Sequence, residues 1–197
     1  MTEVSPAAVV LGGINGSGKT TSSRRLLADR RGVKIFVNAD EIARGLNAFA
    51  PESAAFEAGR VMLQRLNQLA GEKASFSFES TLAGKGYVKF LRELKPAGYR
   101  VEIYYFWLES VEYSISRVAA RVRQGGHHFP EETIRQRYSR STENFWKLYR
   151  PLADSWYIFD NSWSAPVLIG MGDGGSDPSV IDVDGWPLFE EQIRNAS

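Results

Sequence analysis

Residues Gly13-Ile14-Asn15-Gly16-Ser17-Gly18-Lys19-Thr20 spell the pattern G-x-x-x-x-G-K-[ST], and no other stretch limits the fold so tightly. The flanks carry as much information as the motif. Ala7-Ala8-Val9-Val10-Leu11 is an apolar run of strand type, and residues from Gly18 to about Asp29 read as a helix that Gly32 ends. Strand, glycine loop and helix in that order form a phosphate-binding loop. Its glycines let successive backbone N–H groups line an anion site, and the helix dipole adds positive potential there. Gly13, Asn15, Gly16, Ser17, Gly18, Lys19, Thr20 and Thr21 are therefore the expected nucleotide-binding set. Lys19 is placed to reach the β- and γ-phosphates, and the Thr20 hydroxyl to hold Mg²⁺.

The rest of the chain alternates strand and helix. Apolar runs at 33–37, 75–78, 101–108 and 156–159 read as strands two to five. Helical periodicity marks segments from Pro51 to about Ala70, from Lys85 to Lys95, from Ser110 to about Arg123 and from Pro130 to about Tyr149. This order implies an α/β fold with a five-stranded parallel sheet between helices, in a single domain of 197 residues. Ligands of such sheets bind outside the carboxyl ends of the strands. The P-loop, Asp40, Glu79 and Asp160-Asn161 follow strands one, two, three and five, so all four are expected around one crevice. Beyond residue 163, Val167–Ile169 and Val180–Val183 suggest a hairpin and Trp186–Asn195 a helix, together a small C-terminal extension of the sheet.

Composition narrows the function. The formal net charge is +1, which gives no global field for nucleic acid or an anionic membrane. There are no cysteines, which removes disulfides and thiolate chemistry and fits a reducing compartment. No apolar stretch is long enough to span a bilayer, and the first residues do not read as a signal peptide, so a cytoplasmic protein is expected.

Phosphoryl transfer asks for a metal, positive groups around the moving phosphoryl and a positioned nucleophile. Asp40, at the end of strand two, is a candidate general base, although Asp also caps helices and Glu41-Ile42-Ala43-Arg44 follows it. Glu79 is a candidate metal or substrate ligand, with an ion pair to Lys85 or to an arginine as the structural alternative. Arg117 and Arg121 share one helix face, and Arg135, Arg137 and Arg140 follow a Gly125-Gly126 break. Two arginine-bearing helices around a glycine hinge read as a lid over about residues 121–140. Solvent-facing arginines paired with Glu112, Glu131 and Glu132 are the alternative. His127 and His128 lie in the hinge, where substrate could touch them.

Several segments taken together resemble the zeta toxin family. They are Gly12-Gly13-Ile14-Asn15-Gly16-Ser17-Gly18-Lys19-Thr20-Thr21, Val37-Asn38-Ala39-Asp40-Glu41-Ile42-Ala43, Phe78-Glu79-Ser80-Thr81-Leu82, Arg121-Val122-Arg123-Gln124-Gly125-Gly126-His127 and Ile134-Arg135-Gln136-Arg137-Tyr138. The chain is most similar to the branch of short bacterial proteins often labelled predicted ABC-type ATPases, although the Leu-Ser-Gly-Gly-Gln signature of that label is absent. The resemblance runs over about residues 7–162. It implies a P-loop kinase fold, ATP or GTP as phosphoryl donor, Mg²⁺, and transfer to the sugar 3′-hydroxyl of UDP-N-acetylglucosamine. It makes Asp40 the catalytic base and gives Lys19, Arg121 and Arg137 the phosphates, with Arg123 or Arg135 as alternative lid partners. Thr20 and Glu79 become the metal pair, and Asp40, Glu79, Thr81 and His127 the acceptor side. An antitoxin protein is the implied partner. The same features would serve another small-metabolite kinase, of the shikimate, gluconate or antibiotic type, or a nucleotide-binding regulator without transfer activity.

Overall fold

In a computed structural model, residues 5–22, 32–126 and 129–195 are described. One sheet of seven strands runs through the molecule in the order β2-β3-β1-β4-β5-β6-β7. The strands are β1 (Ala7–Gly13), β2 (Ile35–Val37), β3 (Phe76–Ser80), β4 (Arg100–Trp107), β5 (Ser155–Asp160), β6 (Val167–Gly172) and β7 (Ser179–Val180). The first five are parallel, as the alternating pattern requires; β6 and β7 join antiparallel and extend the same sheet. The sheet thus has seven strands where the strand–helix alternation alone counts five, because an antiparallel pair needs no crossover helix to announce it.

Six helices are complete among the described residues: α1 (Ala39–Leu46), α2 (Ala55–Gly71), α3 (Gly86–Leu94), α4 (Val111–Arg123), α5 (Glu131–Asn144) and α6 (Gly185–Asn195). Residues 19–22 are helical and continue the P-loop; the remainder of the helix expected up to residue 29 lies outside the described residues. A 3₁₀ turn at Pro51–Ala54 leads into α2, and a π turn at Phe145–Tyr149 continues α5. The single helix expected from Pro51 is therefore two segments, with the proline at the first position of the tighter turn, where its missing N–H has no role.

Alternation along the strands divides the core. Ala8 and Val10 of β1, with Val101, Ile103, Tyr105 and Trp107 of β4, enter a large cluster with Met62, Leu66 and Leu69 of α2. Val9 and Leu11, with Tyr104 and Phe106, point to the opposite face. Both faces of β1 and β4 are buried, which explains their nearly unbroken apolar sequences. On α2 the buried Ala58, Met62, Leu66 and Leu69 follow helical spacing.

The tail does more than lengthen the sheet. The rings of Trp186 and Phe189 on α6 pack with Trp146, and Phe189 also meets Tyr105 and Trp107. A Cβ at Gly170 would collide with the Trp186 ring, and one at Gly172 with Trp156, so these glycines let indoles lie directly on β6. The expected hairpin forms but its second arm stops at Val180 rather than Val183. The N–H groups of Ile181 and Asp182 both turn to Ile169 O, and the Asp182 carboxylate accepts from Asp184 N, which bends the chain into α6. No helix among the described residues is long and apolar enough to cross a membrane.

Candidate active site

β1 lies between β3 and β4, while the chain leaves it toward β2 on one side and returns to β4 on the other. Its carboxyl end is thus the switch point of the parallel sheet, and the P-loop begins there. Gly13, Gly16 and Gly18 all have positive φ, of 134°, 76° and 81°. A Cβ at Gly13 would strike the Phe106 carbonyl, and one at Gly18 the Asn161 amide, so no other residue serves at either position. Three loop carbonyls are taken by side chains. Lys19 Nζ donates to Ile14 O at 2.7 Å, Ser114 Oγ to Asn15 O at 2.6 Å and Asn161 Nδ2 to Ser17 O at 2.7 Å. Asn161 therefore braces the loop from behind. Asp160 is equally turned away: its carboxylate accepts from the N–H and hydroxyl of Ser162. The expectation that both would face the crevice is corrected, since β5 lies two strands from the cavity side of the loop.

A cavity of about 700 Å³ opens beside the P-loop. Asn15, Gly16 and Lys19 form its wall on the loop side, and Asp40, Glu79 and Thr81 the wall at the ends of β2 and β3. Arg121 of α4, Arg137 of α5 and Phe129, just before α5, cover it. Of the remaining loop residues, Ser17 is buried, while Thr20 and Thr21 are exposed at the start of the helical turn. His127 and His128 lie outside the described residues.

Lys19 is only 6% exposed. Burial pulls its ammonium below the usual lysine range; the Glu79 and Asp40 carboxylates act the other way, and Arg121 and Arg137 add to the lowering. Glu79 is the hub of the site. It accepts from the Thr20 hydroxyl at 2.8 Å and from Asn38 Nδ2 at 3.2 Å, and lies 3.8 Å from Lys19 Nζ. The structural alternative of an ion pair with Lys85 or an arginine is replaced by this link to the P-loop.

Asp40 sits in the first turn of α1, not at the end of β2, which is shorter than its apolar run and stops at Val37. The helix cap is Asn38, whose side-chain oxygen accepts from Asp40 N and Glu41 N. Capping is thus already supplied, and the Asp40 carboxylate stands on the cavity wall. Sequence reading took Asn38 for part of a motif and assigned it no contact. Its signal was present, because Asn two residues before an acidic helix start is a strong cap.

The two lid positions separate the arginines cleanly. Arg121 and Arg137 line the cavity, with guanidinium carbons 6.0 and 5.1 Å from the centre of the Phe129 ring. Among the described residues Nε and Nη2 of Arg121 are buried without a hydrogen-bond partner, while Arg137 donates to Asn15 Oδ1 at 3.2 Å. Burial lowers the Arg137 guanidinium, and the Asp40 carboxylate opposes that. Arg135 instead pairs with Glu112 and Glu131 at the surface, Arg123 and Arg140 are exposed, and Arg117 donates to the carbonyl of Ser162. Arg123 and Arg135, the alternative lid partners, do not line the cavity. Arg121 and Arg137 bring two guanidinium groups to one cavity, the charge an anionic ligand would meet there.

A family model described as Zeta toxin matches residues 1–165. The chain belongs to the zeta toxin family. An uncharacterized protein of Haemophilus influenzae is 32% identical to it over 126 residues, which is 64% of this chain and 88% of that one. Among solved structures, the PezAT chromosomal toxin-antitoxin system of Streptococcus pneumoniae aligns with a TM-score of 0.63 at 16% identity, over 100% of this chain and 89% of the other. A structure of AvrRxo1-ORF1 with AvrRxo1-ORF2 and sulphate ions aligns with a TM-score of 0.69 at 18% identity, over 95% of this chain. This zeta toxin family member spans 63% of that AvrRxo1 chain. At such identities the structural matches speak for the fold, and that fold is the P-loop kinase fold.

Proposed function

We propose that this protein is a kinase that moves the γ-phosphoryl group of ATP or GTP to a hydroxyl of a small molecule, with Mg²⁺ as cofactor. One observation carries the reading. The Asp40 carboxylate, uncommitted to capping, lines the same cavity as Lys19, Arg121 and Arg137, a space large enough for a metabolite. Asp40 takes the proton of the acceptor hydroxyl as it attacks. Lys19 and the P-loop hold the β- and γ-phosphates. Arg121 and Arg137 close over the transferring group and exclude water, and Thr81 lies on the acceptor side.

The residues suit Mg²⁺. Thr20 and Glu79 bring a hydroxyl and a carboxylate within 2.8 Å at the start of the P-loop helix. Among the described residues no group of three or more potential metal-binding side chains exists, which fits an ion held by few protein oxygens together with phosphates and water. Bound there, Mg²⁺ would neutralise charge on the phosphate oxygens.

UDP-N-acetylglucosamine or a related nucleotide sugar is the first acceptor to test, since the family suggests it. An antitoxin partner follows from the same suggestion, and a cytoplasmic location from the composition. The test is a ³¹P-NMR transfer assay with ATP or GTP, Mg²⁺ and UDP-N-acetylglucosamine, wild type beside Asp40→Asn. A phosphorylated sugar nucleotide is expected from wild type, with transfer down roughly 10²–10⁴-fold in Asp40→Asn and nucleotide affinity retained. Absence of product with nucleotide still bound would move the acceptor to a metabolite screen. Equal activity in both proteins would remove Asp40 from the mechanism.

A further inference from the structure

Asn38 joins three parts of the site with one side chain. It is buried on the cavity wall, between the end of β2 and the start of α1. Its Oδ1 is committed to the helix, accepting from Asp40 N at 2.8 Å and Glu41 N at 3.4 Å. Its Nδ2 is committed to β3, donating to Glu79 Oε2 at 3.2 Å, the same oxygen that accepts from the Thr20 hydroxyl. Asp and Ser can supply the cap oxygen, but neither has an N–H to offer Glu79. Only a carboxamide of this length satisfies both sides. Its two arms hold the helix turn that bears the acceptor-side carboxylate and the carboxylate that faces the P-loop hydroxyl.

We propose that Asn38 is a positioning residue for the divalent cation: its amide N–H fixes the Glu79 carboxylate in the rotamer that, with Thr20, receives the metal, while its oxygen holds Asp40 in register across the same cavity. This rests on the reading of Thr20 and Glu79 as the metal pair. Partners of this kind, one bond behind a ligand, set the ligand's orientation and basicity, and their loss typically weakens metal binding by about 10–100-fold.

The experiment measures Mn²⁺ binding by electron paramagnetic resonance to protein saturated with ADP, beside nucleotide affinity in EDTA and thermal melting. Asn38→Ser keeps a cap oxygen and drops the link to Glu79. It is expected to melt close to wild type, to bind nucleotide unchanged in EDTA, and to bind Mn²⁺ about 10–100-fold more weakly. ATP turnover should recover as Mg²⁺ is raised, which a merely structural defect would not do. If Asn38→Ser fails to fold, Asn38→Thr, which also keeps a cap oxygen and adds no charge, serves in the same measurement with the same expectation. Wild-type Mn²⁺ affinity in the folded variant would reduce Asn38 to a helix cap and overturn the inference. So would an equal loss of nucleotide affinity in EDTA, which would place its effect in the P-loop. Glu79→Gln separates the underlying reading. Undiminished Mn²⁺ binding there would remove Glu79 as a ligand and the inference with it, whereas nucleotide binding in EDTA reports on the P-loop alone.

Discussion

A buried ammonium is an expensive thing to keep in a protein without its ligand. Lys19 has one short bond to Ile14 O and a longer approach to Glu79, and is otherwise desolvated. In the folded chain it gives up its proton more readily than in the unfolded one. The deficit is therefore present at neutral pH and below, and fades as pH climbs from the lowered value toward 10.5. Lys19→Met is expected to lose phosphoryl transfer while the ligand-free protein melts no lower than wild type, with a flatter alkaline pH dependence. Calorimetry between neutral pH and about pH 10 checks both. The arginines invite a sharper comparison. Arg121→Ala and Arg137→Ala are expected to slow transfer by about 10³-fold with much smaller losses of nucleotide affinity. Arg123→Ala and Arg135→Ala, at exposed positions, should leave both within about twofold, because surface ion pairs contribute little. Single-turnover kinetics on the four variants tests the set. Lys19, Asp40 and Glu79 are legible as candidates because their types, and their places in or just after the motif and strands, carry the chemistry. Asn38 is not, because its meaning depends on Glu79, 41 residues away in sequence.

Among the elements, α5 does two jobs. Its first half carries Arg137 to the cavity, and its second half holds the loop on the cavity's other side. Ser141 Oγ donates to Thr81 O, Asn144 Nδ2 to Leu82 O and Ala83 O, and Tyr149 in the following π turn to Gly84 O. Leu82 is buried with φ of 56°, a strained geometry for leucine that these bonds hold in place. The helix is anchored in turn by the Tyr105 hydroxyl, bonded to Ser141 at 2.9 Å and Thr142 at 3.2 Å. Burial pushes the Tyr105 phenol up to about 12. Its neutral form supports the fold fully below the unfolded value of 10.0, and that support is lost as pH rises from there through 12. Wild type is expected to lose stability steadily over that window, and Tyr105→Phe to show a shallower loss, measured by urea titration at each pH. The strands of this region are plain in the sequence because β4 is apolar at all but two of its positions, Arg100 and Glu102. The anchoring is not, since α5 looks like an ordinary polar helix and its buried Ser141, Thr142 and Asn144 read as solvent-facing residues.

Taken whole, the molecule is a kinase-type sheet closed by its own tail. The family match ends at residue 165, yet Trp186, Phe189 and Ile193 belong to the same core cluster as β1 and β4. The sequence shows the tail's strands but not its weight, because a short helix with three large apolar residues looks like any amphipathic cover. Removing residues 166–197 would bare Trp107 and Trp156, both nearly or fully buried and covered by Phe189 and by Gly172. Each such aromatic contributes about 1.5–3 kcal/mol when buried, against a total stability of only about 5–15 kcal/mol. The truncated chain is expected to lose cooperative unfolding, read by near-ultraviolet circular dichroism and calorimetry, even though every proposed site residue remains in it.

That dependence has a temporal side. A polypeptide leaves the ribosome from its amino end, and domains fold as units during synthesis. Here the P-loop emerges early, but the aromatic clasp over β4 and β5 is made only when residues 185–195 are free. A nascent chain therefore carries its phosphate-binding motif without the core that holds it in shape until α6 has followed it out.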